Sequence, residues 1–465
     1  MQSFGDTICA PITPAGEAAS SLIRISGAGA FEIAESRFKP TTKLRNSDSH
    51  RIIFGIWNDK AGIALDEILI YKFIAPHSYT GEDVIELSCH GNPRLVSQIM
   101  EDLLLDCRMA LPGEFTQRAY LNGKLDLIRA EAVNDLITAS GSKAASSALS
   151  QLRGTLTGFL ETLLKDIQTC RIKIELAIDF SDQDLPQIDL DAFATELDTI
   201  IGKAEKLVEE SRSGRYVREG IKICLVGPPN AGKSSLFNAF LRENRALVSP
   251  HPGTTRDYLE ESVSLAGYSL VIYDTAGLRD ASDEVERMGI DRTRELLNSA
   301  DLVLVLQEPG QSFRIDGLID SQRILNIITK IDSLGFTVLP APADLAGKLK
   351  EQFPAIYAVL PDELIPSSVM MDGGLSAISA EILKRLELPR ELPEGPMLTN
   401  SRHLAAIRRS ISALHKAREA MQGNLGYEFI AFDLIEASSA INEILGTGSV
   451  DDLLGSIFSD FCIGK

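Results

Sequence analysis

Apolar residues are spaced in three ways along the chain, and the spacing changes near residues 120, 219 and 386. Up to about residue 120, the stretches 66–73 and 83–89 partly alternate apolar and polar positions, as half-buried strands do. Turn-forming residues cluster at Thr13-Pro14-Ala15-Gly16, Ser78-Tyr79-Thr80-Gly81-Glu82-Asp83, Cys89-His90-Gly91-Asn92-Pro93 and Pro112-Gly113-Glu114-Phe115. From 121 to 218 the period becomes helical. It runs through 125–137, then Leu149, Leu152, Leu156, Phe159, Leu160, Leu163, Leu164 and Ile167, then Phe193, Leu197, Ile200, Ile201, Ala204, Leu207 and Val208. Residues 181–186 are polar and end in proline, which predicts a loop. Four short, nearly continuous apolar runs follow at 221–226, 268–273, 301–306 and 324–328, the pattern of buried parallel strands. Prolines 389, 393 and 396 mark a linker, after which Leu404, Ile407, Ile411 and Leu414 restore the helical period. The pattern predicts a multi-domain α/β protein. A strand-rich α+β domain (1–120) precedes a helical domain in two parts (121–218 and 387–465), with a nucleotide-binding module (219–386) inserted between them.

The chemistry concentrates where those strands end. Gly227-Pro228-Pro229-Asn230-Ala231-Gly232-Lys233-Ser234 matches the phosphate-cradling loop, between an apolar run and a helical one. Its backbone N–H groups would meet phosphate oxygens at a helix N-terminus, Lys233 would reach the outer phosphates, and Ser234 would hold Mg²⁺. Pro252-Gly253-Thr254-Thr255-Arg256-Asp257 places Thr255 as the mobile Mg²⁺ ligand. The run 268–273 ends in Asp274-Thr275-Ala276-Gly277, where Asp274 can hold Mg²⁺ through water and the Gly277 N–H can sense the γ-phosphate. Thr329-Lys330-Ile331-Asp332 resembles the guanine-reading motif, with Thr329 where Asn is usual and Asp332 accepting from guanine N1 and N2. Ser368-Val369-Met370 is the best match to the last guanine loop. Together these predict a Ras-like P-loop GTPase module. Leu278 stands where Ras has its water-orienting glutamine. Asn230 either ligates a K⁺ ion that offsets phosphate charge or hydrogen-bonds within its own loop, and sequence leaves the two even. His90, beside a glycine, reads first as a structural histidine.

Composition narrows the setting. A length of 465 residues allows roughly three domains. No apolar run approaches the ~20 residues of a membrane span, and the first residues lack the pattern of a secretory signal. The six cysteines show no paired spacing, so a reduced cytoplasm is expected. A net charge of −19 argues against general nucleic-acid coating, so any RNA contact must be local. The chain ends in Phe461-Cys462-Ile463-Gly464-Lys465, an apolar tail with one thiol that can dock in a site.

The phosphate loop, 252–257, Asp274-Thr275-Ala276-Gly277-Leu278-Arg279, Asp283-Glu284-Val285-Glu286-Arg287, Pro112-Gly113-Glu114-Phe115, Leu121-Asn122-Gly123-Lys124-Leu125-Asp126 and the terminal Cys462-Ile463-Gly464-Lys465 resemble the MnmE (TrmE) family of tRNA-modification GTPases over essentially the whole length. The resemblance implies an N-terminal domain that binds 5-formyl- or 5,10-methylene-tetrahydrofolate and mediates homodimerisation. Arg24, Glu86, Lys124 and Lys465 would be its folate-binding residues, and Cys462 would take part in chemistry. It implies guanine-nucleotide contacts along Asn230, Ala231, Gly232, Lys233, Ser234 and Ser235, along Ser249, Pro250, His251, Pro252, Gly253, Thr254 and Thr255, and at Asp274, Thr275, Ala276, Gly277, Thr329, Lys330, Asp332 and Ser368. Potassium would be held by Asn230 and by the loop carrying Ser249, His251 and Thr254, and Glu286 would orient the attacking water. The implied partners are tRNA and the FAD- and NADH-using protein MnmG (GidA), in a heterotetramer that modifies C5 of the wobble uridine. A ribosome-assembly GTPase, or a nucleotide-binding scaffold with weak hydrolysis, is the rival expectation. The first rival would need neither the tail nor a carbon-donor domain, and Leu278 and Thr329 motivate the second.

Overall fold

The protein is described from a computed structural model. Residues 5–40, 47–179, 189–243, 260–274, 295–313, 315, 319–358, 363–423, 425–447, 451–459 and 461–465 are described. The chain divides into two compact units. The first comprises Met1–Ile137, Leu149–Ala204 and Ala405–Lys465, and the second Thr138–Ala148 and Glu205–Leu404.

The first unit carries a seven-stranded sheet of β1 (Ile8–Pro11), β2 (Ala18–Ser26), β3 (Phe38–Pro40), β4 (Arg51–Asn58), β5 (Ala64–Phe73), β6 (Val84–Gly91) and β7 (Arg108–Met109). Their order is β3-β4-β5-β6-β2-β1-β7, antiparallel except for β1 against β7. Alternation in β4 and β5 puts Ile53, Trp57, Ile68 and Ile70 on the buried face. Helices Ala30–Arg37 and Pro93–Leu103 supply Ala30, Ile33, Ala34, Ile99, Met100 and Leu103 to the same core. The second helix starts where the sequence predicts a break: Pro93 opens it, and the Asn92 side chain accepts from the Arg94 N–H at 2.9 Å. Arg37, 2% exposed, ties the two helices by pairing with Asp102 and Asp106.

The helical period read through Leu149 to Ile167 is two helices, Ser142–Leu152 and Thr155–Asp179. Gly154 separates them at φ +87°, and a Cβ there would sit 2.1 Å from the Arg129 guanidinium. Helix Thr155–Asp179 buries Leu156, Leu160, Leu163, Ile167, Cys170 and Ile174, and packs against helix Tyr427–Leu445. That partner brings Ile430, Leu434, Ala437, Ile441 and Ile444. Its small residues, Ala437 and Ser438, suit close helix approach.

The second unit carries a six-stranded sheet of β8 (Ile221–Val226), β9 (Glu260–Leu265), β10 (Tyr268–Asp274), β11 (Leu302–Gln307), β12 (Ile324–Ile328) and β13 (Ile365–Pro366), ordered β13-β12-β11-β8-β10-β9. Only β9 runs antiparallel to its neighbour. Separate apolar clusters cover the two faces, one with Ile223, Leu225, Leu304 and Leu306, the other with Cys224, Val226, Val303 and Val305. This two-sided burial is why β8 and β11 read as unbroken apolar runs. All four expected strands of the module are present within one or two residues of their expected ends. Residues 391–396 carry neither helix nor strand. The loop expected at 181–186 lies outside the described residues.

Candidate functional site

In the second unit the phosphate loop bridges β8 and helix Lys233–Glu243. The adjoining strand sets its path: a Cβ on Gly227 would lie 2.2 Å from the Leu306 carbonyl oxygen, so only glycine fits. Asn230 turns the loop at φ +66° with its side chain exposed, and Gly232 follows at φ +88°. Left-handed residues on either side of Ala231, just before a helix, aim backbone N–H groups into one concavity. Lys233 is 8% exposed, and its ammonium donates to the carbonyls of Gly227 and Pro228, both at 2.9 Å. Ser234 and Ser235 are exposed at the helix start, while Ala231 is buried.

The base-reading residues follow β12. The Thr329 N–H donates to the Gln307 carbonyl at 2.9 Å, and its hydroxyl donates to the Ala231 carbonyl at 2.9 Å. Lys330 has φ +51° and pairs with Glu308. The Ser368 hydroxyl donates to Asp332 Oδ1 at 2.6 Å, and Ser368 is 2% exposed. The structure thus gathers Thr329, Asp332 and Ser368 around one end of the sheet, beside the phosphate loop. Asp274 ends β10 opposite Leu225 of β8. Ser249, Pro250, His251, Pro252, Gly253, Thr254, Thr255, Thr275, Ala276, Gly277, Leu278 and Glu286 lie outside the described residues.

In the first unit a second constellation forms. Arg24 on β2 and Glu86 on β6 are cross-strand partners, joined Nε to Oε1 at 2.8 Å. The Arg24 guanidinium stacks between the rings of Tyr79, at 5.0 Å, and Phe115, at 5.2 Å. Its Nη1 is buried with no hydrogen-bond partner among the described residues. Burial pushes the Tyr79 phenol up, although Thr116 accepts or donates at 2.9 Å and Arg24 lies near.

The tail docks beside this pair. The Gly113 N–H donates to the Cys462 carbonyl at 3.4 Å, and the Phe115 N–H to the Lys465 carbonyl at 3.1 Å. Gly464 sits at φ +99°, where a Cβ would meet the Pro11 carbonyl at 2.3 Å. Phe458 and Phe461 bury against Leu127 and Ala130. Lys465 is half-buried; burial lowers its ammonium pKa, Arg24 lowers it further, and Glu86 and Cys462 oppose the shift. The Cys462 thiol is exposed. Lys124 is one step removed: its ammonium donates to the Pro76 carbonyl at 2.9 Å, on the loop that carries Tyr79.

Sequence reasoning singled out neither Tyr79 nor Phe115, which frame Arg24, although both sit in turn clusters that it marked. It also missed the support behind them. Arg118, fully buried, pairs with Glu114 at 2.9 Å, Asp6 at 2.9 Å and Glu82 at 3.1 Å, anchoring helix Glu114–Leu121 to the Tyr79 loop. An arginine three residues past a phenylalanine carries no periodic signal, so only the fold reveals it. The His90 side chain, near the end of β6, is 70% exposed and held by Asp66 of β5 at 2.7 Å.

Two family models match the chain: the MnmE helical domain over residues 127–462, and the N-terminus of the GTP-binding protein TrmE over residues 7–124. The chain belongs to the MnmE family. Curated relatives bearing the name tRNA modification GTPase MnmE align over nearly all of it. The protein of Aquifex aeolicus (strain VF5) is 36% identical, covering 99% of this chain and 100% of its own. That of Desulfitobacterium hafniense (strain Y51) is 38% identical over the same shares. The two matches together span the Arg24–Glu86 pair, the phosphate loop and the guanine-type residues. Among the described residues no helix is long and apolar enough to cross a membrane.

Proposed function

We propose that this chain hydrolyses GTP and couples that hydrolysis to modification of C5 of the wobble uridine in certain tRNAs, adding a carboxymethylaminomethyl or aminomethyl group. The observation that supports the reading most is the pairing of a phosphate loop and guanine-type residues with the Arg24–Glu86–tail constellation in a member of the MnmE family.

The phosphate loop would hold the nucleotide. Backbone N–H groups of Asn230 to Ser235 and the Lys233 ammonium neutralise phosphate charge in a water-poor cradle. Ser234, exposed at the helix start, suits a Mg²⁺ ligand together with Thr255. The exposed Asn230 amide at the loop's crest suits a K⁺ ligand, completed by the loop carrying Ser249, His251 and Thr254. The cation would supply the charge that an arginine supplies elsewhere, and Glu286 would orient water in place of the glutamine that Leu278 lacks. Asp332, oriented by Ser368, accepts from the guanine N1 and N2 hydrogens.

In the first unit Arg24, Glu86, Lys124 and Lys465 would hold a 5-formyl- or 5,10-methylene-tetrahydrofolate, which supplies the one-carbon unit. The unpartnered Arg24 Nη1 fits an acceptor atom of that group, and Glu86 fits the N–H donors of a pterin. Cys462 stands exposed beside it as a thiol available for chemistry. The modification would proceed with the FAD-dependent MnmG as partner and with the chain as a homodimer in the cytoplasm.

Two measurements test this. GTP turnover in K⁺ against Na⁺ should show K⁺ stimulation that Asn230→Ala removes, with turnover lost in Glu286→Ala. Mass spectrometry of tRNA nucleosides from a deletion strain should show unmodified wobble uridine, and normal wobble nucleosides would defeat the proposal.

A further inference from the structure

A cavity of about 450 Å³ lies on the far side of Tyr79, lined by Ser49, His50, Phe73, His77, Ser78 and Tyr79. It is distinct from the Arg24–Glu86 pair but shares one wall with it, since Tyr79 lines the cavity and stacks on the Arg24 guanidinium. Among the described residues no carboxylate lines it, in a chain with a net charge of −19. Its polar wall offers donors instead. Imidazole presents at least one N–H in either protonation state, whereas the Ser78 hydroxyl already donates to the Glu82 carbonyl. The Ser49 hydroxyl lies 2.8 Å from His50 Nδ1, so the tautomer that accepts there carries its proton on Nε2. His50 itself is held in a left-handed conformation, φ +61°, with its ring edge-on to Phe73 at 5.3 Å. Lys124 does not line the cavity, but its ammonium is anchored to the Pro76 carbonyl, one residue from His77. A ligand seated on Arg24 and extended past Tyr79 therefore meets two imidazoles, those of His77 and His50, with the Lys124 ammonium near them.

We propose that this cavity is a second subsite, which takes the anionic γ-linked glutamate tail of a polyglutamylated tetrahydrofolate. The assignment rests on the carbon-donor reading above and deepens it: the Arg24–Glu86 pair would read the head of the donor, and His50, His77 and Lys124 its carboxylates. Charged contacts at such an exposed rim are individually weak, but several in a row give a combined preference of about tenfold for a tail of several glutamates over one.

The test is equilibrium binding of 5-formyl-tetrahydrofolate carrying one or five glutamates to the full-length protein and to the His50→Ala/His77→Ala variant. The expected result is about tenfold tighter binding of the pentaglutamate by the wild type, weakening as salt rises. The variant should lose that advantage and keep its monoglutamate affinity within about twofold. Equal affinity for the two ligands in the wild type, or an advantage that survives in the variant, overturns the subsite and leaves the carbon-donor reading intact. Failure of the wild type to bind either ligand overturns both. A variant that keeps the pentaglutamate advantage but binds tRNA more weakly assigns the cavity to RNA instead. Circular dichroism of the variant establishes that it folds.

Discussion

The Thr329 hydroxyl donates to the Ala231 carbonyl oxygen at 2.9 Å, so the base-reading turn and the phosphate loop are held to each other by one buried hydrogen bond. Thr329 is 6% exposed. Its side chain works between loops, which a hydroxyl does as well as an amide. Thr329→Val keeps the shape and leaves the Ala231 carbonyl without that donor, a loss of about 1 kcal/mol. Guanine-nucleotide affinity should fall roughly fivefold, measured by titration with a fluorescent GDP analogue.

The Gly227→Ala change tests the close approach of strand and loop. A methyl group 2.2 Å from the Leu306 carbonyl forces the loop out of register. Nucleotide binding should be lost by at least about tenfold, while the first unit keeps its thermal unfolding transition.

Gly464 makes the corresponding test at the other site. Its φ of +99° disfavours any side chain, and a Cβ would strike the Pro11 carbonyl. Gly464→Ala should displace the Cys462 and Lys465 backbone bonds and, on the proposed carbon-donor reading, weaken tetrahydrofolate binding. GTP turnover should stay within about twofold of wild type, a split read by assaying both.

The buried Arg118 cluster sets the acid response of the first unit. Burial opposes ionisation of Glu114, but Arg108, the Leu111 N–H and Arg118 outweigh it and hold the carboxyl below its ordinary 4.5. Asp6 is held below its ordinary 3.8: burial opposes this there too, and Arg108 and Arg118 overcome it. A carboxylate with a depressed folded pKa stabilises above its unfolded pKa and loses that contribution as pH falls through the folded value. Stability of the first unit should therefore decline below about pH 4.5. Arg118→Met leaves Glu114 buried with less charge compensation and should cost roughly 3 kcal/mol near neutrality. The gap from wild type should narrow toward pH 3, measured by thermal melts across pH.

The module's fold was legible because parallel strands buried on both faces leave continuous apolar runs, and each ends in a recognisable polar turn. Thr329, Asp332 and Ser368 were legible for the same reason. The N-terminal sheet was less so. β2 begins with Ala18, Ala19 and two serines, and β4 exposes Ile52, Phe54 and Ile56, which blurs the alternation. Helix Tyr427–Leu445 is apolar on several sides, with Phe429 and Phe432 exposed, and so shows no clean stripe. The break at Gly154 was hidden because the apolar spacing carries across it unbroken. Tyr79, Phe115 and Arg118 were illegible because their roles come from contacts distant in sequence.

Helix Thr155–Asp179 finds its packing partner, Tyr427–Leu445, only after the whole nucleotide module has intervened in the chain. A ribosome therefore releases the first of these helices before that partner exists, and the surface the partner covers waits while a complete α/β sheet is made and folds. Loop closure over such a separation is slow relative to local collapse, so the order of assembly is dictated from the inside outward. That interval gives the inserted module the opportunity to bind nucleotide before the two helices have met.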